Sequence, residues 1–324
     1  MSAVLPIEVL FTAALAVVAL AFAWVCDLPF VVPSLGGAGF AGIHYLVPLS
    51  MAVIWALCAS RGGRRRIGVL AVPFVCYAMV LWLHFNLKLW VPLLDIPYHD
   101  DVLRRTDLVF GGVVAAAFRA RIFLARFLPA IDHLYMGLFM GLFYVGFCVH
   151  ALRSQRRFRK VFLAALFLQG LGGLAYLVYP AIGPFVVEPG LNPVAAAVQE
   201  HMLTVTRAID GGGTEWLRHA DGSVLFTGLG AMPSLHAGGA FLFLWFAWKW
   251  ERPLLIFYVP VFLFILLGAI ATRWHYLVDL PVGIALAGVS IFLAFRLDGV
   301  ELRLVRWSRP TGEQDGSEAL VAAD

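Results

Sequence analysis

A chain of 324 residues in which 61% are hydrophobic and 14% charged, with a mean hydropathy of +0.86, lies far from the composition of a soluble domain and describes a membrane protein. Its formal net charge of +4 is small, and apolar stretches separate the arginines, which argues against a nucleic-acid partner. Cys26, Cys58, Cys76 and Cys148 fall in or beside apolar segments with no paired Cys/His spacing, the pattern of packing residues rather than of a disulfide framework or a metal site.

At about 20 apolar residues per crossing, spans are expected at 5–25, 41–60, 67–90, 132–152, 161–180, 232–249, 254–272 and 276–296. The fold class is therefore all-α, a polytopic membrane helical bundle of about eight transmembrane helices. The first stretch has no basic start and no convincing cleavage site, so it reads as an uncleaved helix. "RGGRRR" at 61–66, "RSQRRFRK" at 153–160, "KWER" at 249–252 and the Arg-bearing tail after Arg296 then share one side, which the excess of positive charge makes cytoplasmic, with both chain ends inside. The segment 91–131 carries Arg104, Arg105, Arg119, Arg121 and Arg126 on the other side and suits an interfacial amphipathic helix better than a span. Three regions are expected: N-terminal transmembrane helices plus the interfacial segment at 1–130, a transmembrane core at 131–297, and a disordered cytoplasmic tail at 298–324. "GLFMG" at 137–141 has the spacing of closely packed helices, within one chain or between copies, so the oligomeric state stays open.

On this topology three separate stretches meet on the outer face: the long loop 181–231, "GAMPSLHAGG" at 230–239, and "RWHYLVD" at 273–279. Polar residues gathered at one membrane surface mark a candidate active site. His275 and Asp279 are four residues apart, so on a helix they share a face, and the carboxylate can accept from the imidazole and leave its other nitrogen free to attack. A capping pair at a helix start is the plainer alternative. Pro233 and Ser234 suit a helix start, where unpaired amides welcome an anion. His236, one turn in, can give a proton to a leaving oxygen, or it can simply reach for the interface. Tyr176 and Tyr179, in "YLVYPAIGP" at 176–184, read as aromatic-belt residues with Tyr179 near the site. His84 and Lys88, in "LHFNLKLW" at 83–90, share a helical face, where Lys88 can hold a phosphate or snorkel.

"GAMPSLHA" followed, one helical hairpin later, by "TRWHYLVD" resembles the type 2 phosphatidic acid phosphatase superfamily, most closely the branch of the inositol phosphorylceramide synthases. The resemblance covers about residues 161–296. "YPAIGP" is similar to that branch, as is "NLKLWVPLLDIPYHDDVLRRTD" upstream. It implies that 131–297 is the catalytic core, that His275 is the nucleophile on a lipid phosphate, that Asp279 orients it and that His236 protonates the departing oxygen, with no metal and no cofactor. The Lys-x6-Arg-Pro run of the lipid phosphatases is missing, and Ala269 stands where their third motif has an arginine. Arg273 and then Lys88 are the candidate phosphate-binding cations, joined by Ser234 and Tyr179.

The expected reaction moves a phospho-head-group such as phosphoinositol from a phospholipid donor to a lipid-alcohol acceptor such as ceramide through a phosphohistidine. The helical rhythm of "PVAAAVQEHMLTVTRAID" suits a lid that keeps water out. The alternatives are a phosphatase acting on a phospholipid or polyprenyl phosphate, and, in another class, a transporter or non-catalytic scaffold. The expected location is a bacterial inner membrane with an extracytoplasmic site, or the Golgi membrane in a eukaryote.

Overall fold

The computed structural model describes residues 3–34, 50, 63–128, 130–299 and 301–304. Ten helices stand among them: α1 (Ile7–Val25), α2 (Gly63–Leu89), α3 (Asp100–Val109), α4 (Gly111–Ala125), α5 (Ile131–Arg153), α6 (Gln155–Val178), α7 (Pro193–His219), α8 (Leu235–Trp250), α9 (Leu255–Ala271) and α10 (Asp279–Arg296). Two short strands, β1 (Ala3–Pro6) and β2 (Glu301–Leu304), pair antiparallel. Within the tail expected to be disordered from 298, Glu301–Leu304 thus form a paired strand, and residues 300 and 305–324 lie outside the described residues.

Six of these helical segments are long and apolar enough to cross a membrane, in α1, α2, α5, α6, α9 and α10, or seven segments if a bent pair is one broken span. The expected span at 41–60 lies outside the described residues. α8, at 16 residues, is shorter than the expected 232–249 because Ser234 caps it late; its end at Trp250 lies one residue beyond the expected one. The protein is a multi-pass all-α membrane bundle.

α6 is its axis and packs against α2, α5, α8 and α10. In lipid, helices associate through close packing rather than by escaping water, and α6 has the small residues that this requires. A Cβ on Gly172 would meet the Leu235 side chain at 2.6 Å, and one on Gly173 would meet the His84 backbone at 3.2 Å. Beside it, Phe139, Phe143 and Phe147 recur every fourth residue on α5 and pack edge-on to one another, with Phe243 of α8 at 4.5 and 5.4 Å from the last two. Gly141 of "GLFMG" faces Phe257 at 4.0 Å, while Gly137 has open space beside it.

One end of the bundle is tied by ion pairs. Arg157 and Arg153 reach Glu251 at 3.0 and 3.7 Å, Arg159 reaches Glu8 at 3.1 Å and Asp298 at 3.4 Å, and Lys160 also pairs with Asp298. At the other end the segment 91–131 is not one interfacial helix. α3 and α4 bend by 82° at Phe110, ahead of two glycines that hold a helix weakly, and α4 packs on α9. Buried Arg121 pairs with Asp132 at the start of α5, which explains how an arginine is tolerated on that face. The loop 181–231 holds α7, capped by Asn192, whose Oδ1 accepts from the Ala195 N–H at 2.9 Å.

Candidate active site

Ser234 begins α8 as a capping residue: its Oγ accepts from the Ala237 N–H at 3.3 Å, satisfying an amide that a helix start leaves over. Its own N–H donates to the Asp279 carbonyl at 3.0 Å, so one bond ties the start of α8 to the start of α10. The two helices come this close because two glycines meet there. A Cβ on Gly283 would lie 2.0 Å from the Ser234 carbonyl oxygen, and one on Gly238 would lie 2.6 Å from that of Gly283.

This crossing brings His236, in the first turn of α8, to His275, just before α10, with ring centroids 6.2 Å apart at 62°. The His236 ring is walled by Phe139 at 4.6 Å and Tyr135 at 5.4 Å. Its Nε2 is buried and has no hydrogen-bond partner among the described residues.

The His275 Nδ1 lies 2.7 Å from the Ala231 carbonyl and 3.4 Å from Asp279 Oδ2. A carbonyl only accepts, so Nδ1 carries the proton and the lone pair sits on Nε2. Asp279 is fully buried, and its Oδ2 also accepts from the Tyr276 N–H at 2.8 Å. The expectation of a shared helical face is corrected here: α10 starts at Asp279, and His275 reaches the carboxylate because the turn before α10 folds back over the helix start.

That turn is held from outside itself. Arg273 takes the left-handed backbone, φ +58°, uncommon for a residue with a Cβ. Its Nη1 donates to Asp107 Oδ2 and its Nη2 to Glu188 Oε2, each at 2.9 Å. Asp107 Oδ1 accepts from the Leu277 N–H at 2.8 Å. Asp100 accepts from the Ile182 and Gly183 N–H groups at 2.9 and 2.8 Å and from the Tyr276 hydroxyl at 2.9 Å. Burial, and next to it the Asp100 carboxylate, push the Tyr276 phenol above its usual range, so it stays a donor. The strap after α6 adds Phe185 N–H to Arg273 O at 3.1 Å and Leu191 N–H to Ala271 O at 2.9 Å.

The other expected phosphate-binding residues divide. Lys88, at the end of α2, places its Nζ 5.2 Å over the Tyr176 ring and has no carboxylate partner among the described residues. A Cβ on Gly230 would touch its Cε at 2.9 Å. It therefore turns inward, toward the start of α8, instead of snorkelling. Arg273 is occupied by two carboxylates. Ser234 is fully buried and engaged as the cap. Tyr179 stacks on His99 at 3.9 Å and packs with Leu103, Ala181, Ala231 and Tyr276. Asp100, Asp107, Glu188 and the Ala231 carbonyl were not among the expected site residues.

Two histidines from separate stretches, with ring centroids 6.2 Å apart and one backed by a buried carboxylate, define a site suited to chemistry at phosphorus in a membrane protein. A model of the PAP2 superfamily matches residues 102–293, more than half of the chain and inclusive of His236, His275 and Asp279. The chain belongs to the PAP2 superfamily, which fits a lipid phosphatase or phosphotransferase. Neither the curated proteins nor the solved structures contain a match to it.

Proposed function

We propose that the protein is a head-group transferase that moves a phospho-head-group, such as phosphoinositol, from a glycerophospholipid to a lipid hydroxyl such as that of ceramide. The observation that carries this reading is the pairing of His236 and His275, with ring centroids 6.2 Å apart, close enough for both to reach one phosphorus.

In the first half-reaction the Nε2 lone pair of His275 forms an N–P bond and the P–O bond to diacylglycerol breaks. Protonated His236 gives its proton to the departing oxygen, and the head-group stays on His275 as a phosphohistidine. In the second half-reaction the acceptor oxygen bonds to phosphorus, the N–P bond breaks, and His236 takes the hydroxyl proton. The Ala231 carbonyl and Asp279 hold the Nδ1–H of His275 and favour the positive charge that the ring gains on bonding to phosphorus. Lys88 faces the negative phosphoryl oxygens.

Transfer rather than hydrolysis is supported by the burial of the nucleophile, whose side chain is 7% exposed, and by α7 in the loop before α8, which we assign as the lid. Replacing 193–219 by a short linker is expected to raise hydrolysis relative to transfer, and an unchanged partition would remove the lid role. The reaction itself is tested with purified protein and phospholipid labelled in the head-group, with and without a ceramide-like acceptor. A new labelled lipid supports transfer. Release of a water-soluble phosphate supports the second reading, a lipid phosphatase with water as acceptor, which Lys88 with no carboxylate partner among the described residues also suits. No turnover of either kind points to a scaffold. We place the site on the extracytoplasmic side of a bacterial inner membrane.

A further inference from the structure

We propose that Asp107 and Asp100 of α3 are positioning residues that hold the turn carrying His275 in its reactive geometry, a role that rests on the phosphotransfer reading above. Asp100, Leu103 and Asp107 are spaced three and four residues apart and so lie along one face of α3. Within Asp100–Val109, Leu103 and Asp107 are the buried residues. A ten-residue helix that buries one leucine and one carboxylate gains little from packing, and what that face does is make hydrogen bonds.

Asp107 straddles the nucleophile. One carboxylate oxygen takes Arg273 Nη1 at 2.9 Å and the other takes the Leu277 N–H at 2.8 Å, so a single side chain grips the chain two residues before and two residues after His275. Asp107 and Arg273 are 5% and 2% exposed. Burying such a pair is a poor way to gain stability, because both charges lose their water, and a role in fixing geometry accounts for it better. The geometry that needs fixing is visible: Arg273 sits at φ +58°, and the His275 N–H reaches back to the Ala269 carbonyl of α9 only at 3.3 Å.

Asp100 acts by a second route. It holds the Ile182 and Gly183 amides and the Tyr276 hydroxyl. The neighbouring Ala181 carbonyl accepts from the Ala231 N–H at 2.7 Å, and the Ala231 carbonyl in turn accepts from the His275 ring. α3 therefore grips both the backbone that carries the nucleophile and the loop that sets its ring.

The test uses the full chain in lipid nanodiscs and compares Asp107→Asn, Asp100→Asn and, as a control on the exposed side of α3, Asp101→Asn. With head-group-labelled phospholipid, Asp107→Asn is expected to lower kcat about 10- to 100-fold while KM stays within about 3-fold, the scale on which a misplaced reacting group slows chemistry. A merely structural role would lower the folded fraction and leave kcat per folded molecule unchanged, and that result overturns the proposal. The second readout needs no turnover: nitrogen NMR of histidine-labelled protein should show a protected His275 Nδ1–H in the wild type and in Asp101→Asn, and its loss or exchange broadening in Asp107→Asn. Persistence of an identical signal in Asp107→Asn overturns the positioning role. Loss of the signal in a protein that turns over no lipid upholds the clamp and removes the transferase reading. Should Asp107→Asn fail to fold, Asp100→Asn is read by the same kcat and NMR criteria, and no change in either overturns the proposal.

Discussion

At the scale of single residues, the two histidines should separate by their response to the leaving group. His275→Ala removes the nucleophile, so turnover is expected to fall by at least about 10³-fold, with no acid-labile phosphoenzyme on any substrate. His236→Ala removes the proton donor, a loss of about 10²- to 10⁴-fold on a natural lipid. Most of that loss should vanish with a nitrophenyl leaving group, which departs without a proton, and equal losses on both substrates would reverse or remove the assignment. Tyr276 carries a prediction in pH. Its phenol is raised by burial and by Asp100, so the folded state prefers the neutral form. The stability this supplies is fully present below the ordinary phenol value of about 10 and declines as pH rises above it. Thermal melts should therefore drop on the alkaline side, and Tyr276→Phe should flatten that drop.

At the scale of elements, the crossing of α8 and α10 sets the site, and its glycines test it. Gly283→Ala puts a methyl 2.0 Å from the Ser234 carbonyl oxygen, where only backbone could give way. A loss of roughly 1–3 kcal/mol is expected, together with a fall in turnover as His236 moves from His275. Gly288→Ala, with nothing within 4 Å of its Cβ, should leave both unchanged, and melting curves with kcat for the pair decide it. The same scale shows what the sequence could reveal. Long apolar runs between basic loops announce spans, because lipid forces backbone bonding inside each helix, and α5, α6, α9 and α10 stand near their expected places. His236, His275 and Asp279 were legible because each sits in a short local pattern at a helix start. The carboxylates of α3 were not: Asp107 meets Arg273 across 166 residues and Asp100 meets Tyr276 across 176, and nothing local in "HDDVLRRTD" distinguishes a carboxylate bound for a distant amide from one facing water. The bend between α3 and α4 was hidden for the same reason, since its second arm is decided by packing on α9.

At the scale of the whole molecule, the ion pairs of Glu8, Arg157, Arg159, Glu251 and Asp298 lie at one end of the bundle and the histidines at the other, as the ends of successive antiparallel helices require. On the orientation proposed above, which follows the excess of positive charge, the first end faces the cytoplasm. In a background without native cysteines, a cysteine placed at Glu188, 53% exposed, should react with a membrane-impermeant maleimide added outside intact cells. One at Arg153, 69% exposed, should react only after permeabilisation, and the opposite pattern would invert the topology.

The peptide oxygen at position 231 belongs to every amino acid, proline included, so no codon change there can delete the seat of the nucleophilic ring. Only a shift of the main chain can empty it, for instance a bulky residue in the tight space around Ala231 or the loss of its N–H to proline. Asp279→Asn should consequently be milder than a design resting on the carboxylate alone would suffer. The enzyme proposed here is robust to mutation where peptide groups do the holding and fragile where distant acids do it.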